Sequence, residues 1–267
     1  MTRYLFGDWD KVSERINASG RTLLLFDYDG TLTPITSSPG EAVFPTGTKQ
    51  ALAALARLGF TVGVISGRSI RDLKSIVGVK GIYYAGNHGL EIEGPGIDYI
   101  HAVSSLHIKA LRDITGELKE RFLDIKGVII EDKGLSVSVH YRMANGPDIL
   151  KVKKIFRDIV SPYIDSRKVG RFEGKKVLEL RPPTKWDKGS AVKAIKRLII
   201  SEDTGSRAGD YCVMYAGDDV TDEDAFRVLG RNDISVRVGK KRSSKAAYHL
   251  EDTGEVVEFL YRLKRLG

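Results

Sequence analysis

Residues 22–34 read TLLLFDYDGTLTP, and two acids set directly after a continuous apolar run decide the fold class. The apolar residues Leu23, Leu24, Leu25 and Phe26, ending in Asp27, have the pattern of a strand buried on both faces, as in a parallel sheet covered by helices. Side chains of an extended chain repeat every two residues, so Asp27 and Asp29 emerge on one side at the strand's carboxyl end. In open α/β sheets that is where ligands bind. A calcium loop starting at Asp27 is excluded, because its sixth and twelfth positions need Gly and Glu and hold Leu32 and Ser38. A plain acidic turn explains neither the buried strand before the acids nor the motifs that follow.

Outward from this stretch, helical spacing over 46–58, an apolar run over 60–65 and a helical pattern over 69–76 continue a strand–helix rhythm. That rhythm predicts a doubly wound, Rossmann-like parallel sheet with right-handed crossovers. The middle of the chain differs. A long helical stretch over 104–122 precedes two strand-like runs, 127–132 and 135–142, separated by Lys133-Gly134, which implies antiparallel pairing. A helix over 147–160 and strands over 167–172 and 176–181 follow. The rhythm resumes with a helix over 188–200, strands over 211–216 and 234–238, and helices over 221–229 and 255–266. The expected architecture is α/β: a core over 1–95 and 183–267, and a smaller α/β domain inserted over 96–182.

Composition bounds the function. At 267 residues, 42% hydrophobic and 29% charged, the chain can bury a sizeable core and is neither disordered nor a repeat array. Its single cysteine, Cys212, excludes an internal disulfide and a CxxC zinc site. No apolar run approaches the roughly 20 residues of a membrane span, and the first residues, MTRYLFGDWDKVSERI, lack a signal-peptide core, so a cytoplasmic protein is expected. The formal charge of +8 is compatible with nucleic acid, an anionic surface or a small anionic substrate, and composition does not choose among them. Lys240, Lys241, Arg242 and Lys245 come with no nucleic-acid motif and read as a solvated face.

A second acidic constellation, GDDVTDED at 217–224, also follows an apolar strand and opens a helix. Glu223 and Asp224 are explained by the preference for acids at a helix amino terminus. Asp218 and Asp222 stand at i, i+4 on one helical face, and with Asp219 they gather more charge than capping requires. Asp27, Asp29 and Asp218 brought together repel one another, and a phosphate dianion as well, unless a hard divalent cation bridges them. Oxygen-only ligands point to Mg²⁺ over Zn²⁺. A carboxylate nucleophile splits phosphoryl transfer into two steps, and an acid two residues on can protonate the leaving alcohol and then deprotonate water. Two phosphate holders are available. Ser66-Gly67-Arg68 offers a hydroxyl and backbone N–H groups, and Lys188 in WDKGS adds a point charge.

DYDGTLTP, SGR, WDKGSA and GDDVTDEDAF, in this order, resemble the four motifs of the haloacid dehalogenase superfamily of phosphatases. The resemblance implies Asp27 as nucleophile, Asp29 as general acid/base, Ser66 and Lys188 as phosphate holders, and Asp27, Asp29, Asp218 and Asp222 on the metal side. The insertion resembles the α/β cap of the sugar-phosphatase branch. Within it, the extended DYDGTLTPI, GNHGLE at 86–91, GKKVLELRP at 174–182 and the full GDDVTDEDAF are similar to trehalose-6-phosphate phosphatases, over about residues 20–250. Lys175 and Glu179 match the family's sugar-binding cap positions; on a strand they share one face about 13 Å apart. Arg142, His88, Glu91, Arg68 and Asp219 complete the expected substrate contacts. The implied activity is Mg²⁺-dependent hydrolysis of trehalose 6-phosphate through an aspartyl-phosphate. The alternatives are a phosphatase of another sugar phosphate, of the sucrose phosphate or mannosyl-phosphoglycerate type, and a non-catalytic sugar-phosphate sensor. The expected partner is thus a small sugar phosphate, with no nucleic acid and no membrane. Sequence does not specify the oligomeric state, and a monomer is favoured.

Overall fold

The computed structural model describes residues 2–36, 44–202, 210–239 and 243–267, and divides into two compact units, residues 1–100 with 186–267 and residues 101–185. Ser38 and the basic residues 240–242 lie outside the described residues.

The larger unit opens with β1 (Arg3–Tyr4) and α1 (Trp9–Ala18), then β2 (Arg21–Asp27), α2 (Thr46–Arg57), β3 (Thr61–Ile65), α3 (Ile70–Val77), β4 (Tyr83–Gly86), β5 (Glu91–Gly94) and β6 (Ile97–Ile100). The second unit contributes α4 (Ser105–Arg121), β7 (Ile129–Asp132), β8 (Val137–His140), α5 (Gly146–Asp165), β9 (Gly170–Gly174) and β10 (Val177–Arg181). The larger unit resumes with α6 (Lys188–Glu202), β11 (Tyr211–Gly217), α7 (Asp222–Val228), β12 (Ile234–Val238), β13 (Tyr248–Leu250) and α8 (Thr253–Leu263). Among the described residues, no helix is long and apolar enough to cross a membrane.

The large sheet runs β1-β13-β12-β11-β2-β3-β4-β5-β6. It is parallel from β1 to β4, and β4, β5 and β6 pair antiparallel. Strand β2 shows why the fold is doubly wound. Its apolar side chains alternate, Leu24 and Phe26 packing with α2, α3 and α8, and Leu23 and Leu25 with α6 and α7. Every one of these residues is fully buried.

The structure departs from the sequence reading in several places. β1, β4 and β13, of two to four residues, are too short to announce themselves, whereas α1, which the sequence reading omits, is legible in the i, i+4 spacing of its buried Val12 and Ile16. The chain at 91–100 forms a hairpin that extends the larger sheet through β4, so the second unit begins at 101 and ends at 185, against the expected 96–182.

The second unit has one antiparallel sheet, β7-β8-β10-β9, and a core of its own. Val137, Val139, Leu178 and Leu180 alternate onto the side covered by α4 and α5, packing with Leu111, Ile114, Leu118 and Phe156. Period two then assigns Ser138 and Glu179 to the opposite side, where the register places them side by side with Glu131.

Candidate active site

Parallel pairing aligns the carboxyl ends of β2, β3 and β11. Phe26 stands opposite Ala216 and Val64, so Asp27 at the end of β2, Ser66 just past β3 and Asp218 just past β11 leave the sheet at one edge. Gly30 allows the two acidic motifs to meet. Its φ is +87°, and a Cβ there would lie 2.5 Å from a carboxylate oxygen of Asp218. Only glycine adopts that backbone at no steric cost while leaving the space free.

Asp27, Asp218 and Asp222 each offer one oxygen within 4.8 Å of the others. Lys188, the first residue of α6, is 3% exposed and reaches into this group. Its Nζ donates to Asp27 Oδ1 at 2.5 Å and to Asp222 Oδ1 at 2.7 Å. The same Asp222 oxygen accepts the Tyr215 hydroxyl at 2.6 Å, and its other oxygen accepts the Asp219 backbone N–H at 2.8 Å. Burial pushes the Asp27 carboxyl well above the usual carboxylate range; Lys188 opposes this, while Asp222 and Asp218 add to it. Burial works to lower the Lys188 ammonium, but the carboxylates of Asp222 and Asp27 overcome it and raise its pKa. The cluster is thus one ammonium shared by two carboxylates with that of Asp218 close to both, an arrangement that favours a further positive charge. All donor atoms are oxygen, which suits a hard cation.

Asp29 is expected beside these ligands, yet its carboxylate is gripped by Arg68. The guanidinium donates from Nε to Oδ2 at 3.0 Å and from NH2 to Oδ1 at 2.8 Å, a two-pronged contact. It also lies 5.1 Å above the Tyr28 ring. Arg68, expected on substrate, is therefore committed to Asp29. Asp29 keeps 41% of its side chain exposed, against 10% for Arg68, so it stays accessible while held.

Ser66 is 1% exposed, and its hydroxyl accepts the Arg68 backbone N–H at 3.2 Å. The segment at 86–91 knits onto this loop. His88 N–H donates to Ser66 C=O at 2.9 Å, Asn87 N–H donates to Arg68 C=O at 2.7 Å, and the Asn87 amide donates to Glu91 at 2.6 Å. Glu91 thus supports the turn, and the His88 ring sits against Gly67, where a Cβ would be 2.6 Å from Nε2. Asp219 contributes backbone groups: besides its N–H, its C=O accepts Arg237 NH1 at 2.9 Å.

The second unit holds the remaining expected residues. Glu179 is 8% exposed and pairs with Arg181 at 2.5 Å and Lys133 at 3.7 Å. Lys133 also approaches Glu131 at 3.7 Å, and Glu131 meets His140 at 2.9 Å. Lys175 lies in the two-residue turn between β9 and β10 instead of on a strand with Glu179, because Gly174 pairs with Val177 and Lys176 takes a φ of 67°. Arg142 donates to the Lys175 C=O at 3.2 Å.

Sequence reasoning missed Tyr215, Arg237, Lys133, Glu131 and Arg181. Lys133 was legible only as part of a turn, and Tyr215 looks like one more apolar residue of a buried strand.

The trehalose-phosphatase family profile matches residues 25–254. The chain is 34% identical over 260 residues to a probable trehalose-phosphate phosphatase D of Arabidopsis thaliana, covering 92% of this chain and 68% of that one. It is 35% identical over 250 residues to a trehalose-phosphate phosphatase of Mycobacterium marinum, covering 91% of this chain and 61% of the relative, so it spans about two thirds of the relatives' length. Among solved structures, the C-terminal domain of Candida albicans trehalose-6-phosphate phosphatase superimposes with a TM-score of 0.79 at 24% identity, covering 100% of this chain and 99% of that one. An Aspergillus fumigatus trehalose-6-phosphate phosphatase gives a TM-score of 0.65 at 28% identity, covering 100% of both chains. A haloacid dehalogenase-like hydrolase from Bacteroides thetaiotaomicron, at 18% identity and a TM-score of 0.60, shares the fold over 91% of this chain and 99% of its own. With the acidic cluster, Lys188 and Ser66 all falling inside the matched stretch, the chain belongs to the trehalose-phosphatase family.

Proposed function

We propose that the chain is a Mg²⁺-dependent phosphatase that converts trehalose 6-phosphate and water to trehalose and phosphate through a phosphorylated Asp27. The observation that carries this reading is the buried contact of Lys188 with both Asp27 and Asp222, formed beside Asp218 at the carboxyl end of the sheet. Names borne by relatives supply the sugar; the geometry supports phosphoryl transfer.

Asp27 attacks phosphorus, and the sugar oxygen departs as the P–O bond breaks. Asp29, accessible and aimed by Arg68, delivers the proton to that oxygen. It then takes a proton from water, which attacks the phosphoryl group on Asp27 and releases phosphate. Lys188 and the Ser66 loop hold phosphate oxygens as charge builds on them. The carboxylates of Asp27 and Asp218 are the best-placed metal holders, since both oxygens of Asp222 already accept hydrogen bonds. A bound Mg²⁺ supplies charge neutralisation between carboxylates and phosphate. Glu179, Lys133 and Arg181, with Lys175 and Arg142, are assigned to sugar hydroxyls. Free buried Cys212 accords with a cytoplasmic setting.

Phosphate release is measured across a panel of sugar phosphates, with and without Mg²⁺, for the wild type and for Asp27→Asn. Selective, Mg²⁺-dependent turnover of trehalose 6-phosphate that vanishes in the folded variant supports the assignment. Turnover surviving in Asp27→Asn, or a preference for sucrose phosphate or mannosyl-phosphoglycerate, overturns the nucleophile or the substrate respectively.

A further inference from the structure

The Tyr215 hydroxyl belongs to the buried chain of contacts around Asp27, but no step of phosphoryl transfer uses it. Tyr215 is fully buried on β11, two residues before the strand ends. A buried phenol needs a hydrogen-bond partner, and this one donates at 2.6 Å to the Asp222 oxygen that also receives Lys188. The contact depends on Gly217. A Cβ there would lie 2.2 Å from Asp222 Cγ, so the missing side chain is what lets Asp222 fold back across the strand end.

We propose that Tyr215 is a positioning residue for phosphoryl transfer: its hydroxyl fixes the Asp222 carboxylate, so that the shared oxygen presents Lys188 to Asp27. The inference rests on the reading of Asp27 as nucleophile. Three donors on two oxygens fix both the plane and the tilt of the Asp222 carboxylate. Two of them, Lys188 Nζ and Asp219 N–H, leave it free to rock about the line they define. Rocking moves the ammonium, which is anchored only where its two carboxylates hold it. A phenol is well suited to the task because it is a neutral donor. It completes the hydrogen bonding of Asp222 without adding positive charge, and so leaves the cluster's negative charge to a cation and the ammonium. Tyr215→Phe removes the hydroxyl and keeps the ring, which packs edge-on against Phe226 at 5.8 Å.

The test compares wild type and Tyr215→Phe, with Mg²⁺, on trehalose 6-phosphate and on p-nitrophenyl phosphate. Thermal midpoints are recorded, as is calorimetric binding of beryllium fluoride, a mimic of phosphorylated aspartate. The expected result is a kcat lower by about ten- to a hundredfold on both substrates with KM within about threefold, weaker beryllium fluoride binding and a near-unchanged midpoint. In an Asp222→Asn background the same substitution is expected to change kcat by less than about threefold, because the carboxylate it acts through is gone. Full kcat in Tyr215→Phe, or an equal loss in both backgrounds, overturns the inference and leaves the phosphatase reading intact. A wild type that hydrolyses only p-nitrophenyl phosphate overturns the sugar assignment, and the inference is then decided on that substrate. A wild type that turns over neither and binds no beryllium fluoride overturns both.

Discussion

Lys188 Nζ stands 2.5 Å from Asp27 and 2.7 Å from Asp222, so one buried ammonium joins the end of β2 to the start of α7. The pairing is both a stability element and an electrostatic one. Replacing it by Lys188→Met leaves two carboxylates facing each other with no cation between them. Loss of one partner from a buried ionic group is destabilising by about 3–5 kcal/mol. Loss of a preorganised charge is expected to lower kcat by about 10²–10³-fold. Denaturant unfolding with and without Mg²⁺ checks the first, with added Mg²⁺ returning part of the lost stability. Steady-state kinetics check the second.

Arg68→Lys preserves the charge beside Asp29 and removes the fork that grips both of its oxygens. Asp29 then keeps a counter-ion but loses its aim. The expected outcome is a fall of about tenfold or more in kcat for a sugar phosphate, whose alkoxide leaving group requires protonation. The fall should be smaller for p-nitrophenyl phosphate, whose leaving group does not. Equal losses on the two substrates would show that Arg68 acts elsewhere.

Gly30→Ala adds a methyl group 2.5 Å from the Asp218 carboxylate at a φ of +87°. The backbone strain alone amounts to about 1–2 kcal/mol, and Asp218 must also move away. Both a lower thermal midpoint and weaker Mg²⁺ binding by calorimetry are expected. Gly59→Ala, at a φ of +91° with nothing within 4 Å, is the control, expected to lower the midpoint alone.

Burial pushes the Cys212 thiol up from 9.0 to about 11, with Asp233 adding to it and Arg15 and Lys196 opposing. The folded chain holds this proton more tightly than the unfolded one. The resulting stability is therefore complete below about pH 9 and is lost as pH rises from 9.0 to about 11. In the native protein at pH 8 the thiol, 2% exposed, should resist iodoacetamide and react promptly in denaturant. Rapid labelling of the native protein would contradict the buried placement.

The parts of the fold visible in sequence were those written in periodicity. TLLLFD and the run at 211–216 are continuous apolar segments, and the structure makes them the adjacent central strands β2 and β11. β6 was hidden because IDYI alternates too briefly to separate from a loop, and its pairing partner Glu91–Gly94 overlaps the GNHGLE motif. At the site, Asp27, Asp218, Asp222 and Lys188 were legible as motif residues and are together in the structure. The grip of Arg68 on Asp29 was not legible, because a turn arginine near phosphate holders has the same sequence appearance whether it faces substrate or a carboxylate. Tyr215 was hidden for a related reason: in an apolar strand, a phenol that packs and a phenol that donates look the same.

Register partners in the central sheet include Arg21 with Tyr211, and the whole second unit lies in the chain between them. Closing so long a loop is entropically slow, whereas the β7–β8 and β9–β10 hairpins of the second unit join near neighbours. Asp27 and Asp218 therefore become neighbours only once this long-range pairing has zipped. A chain caught part-way through folding has its nucleophile without its metal-side carboxylate, so recovery of turnover during refolding should trail the recovery of secondary structure.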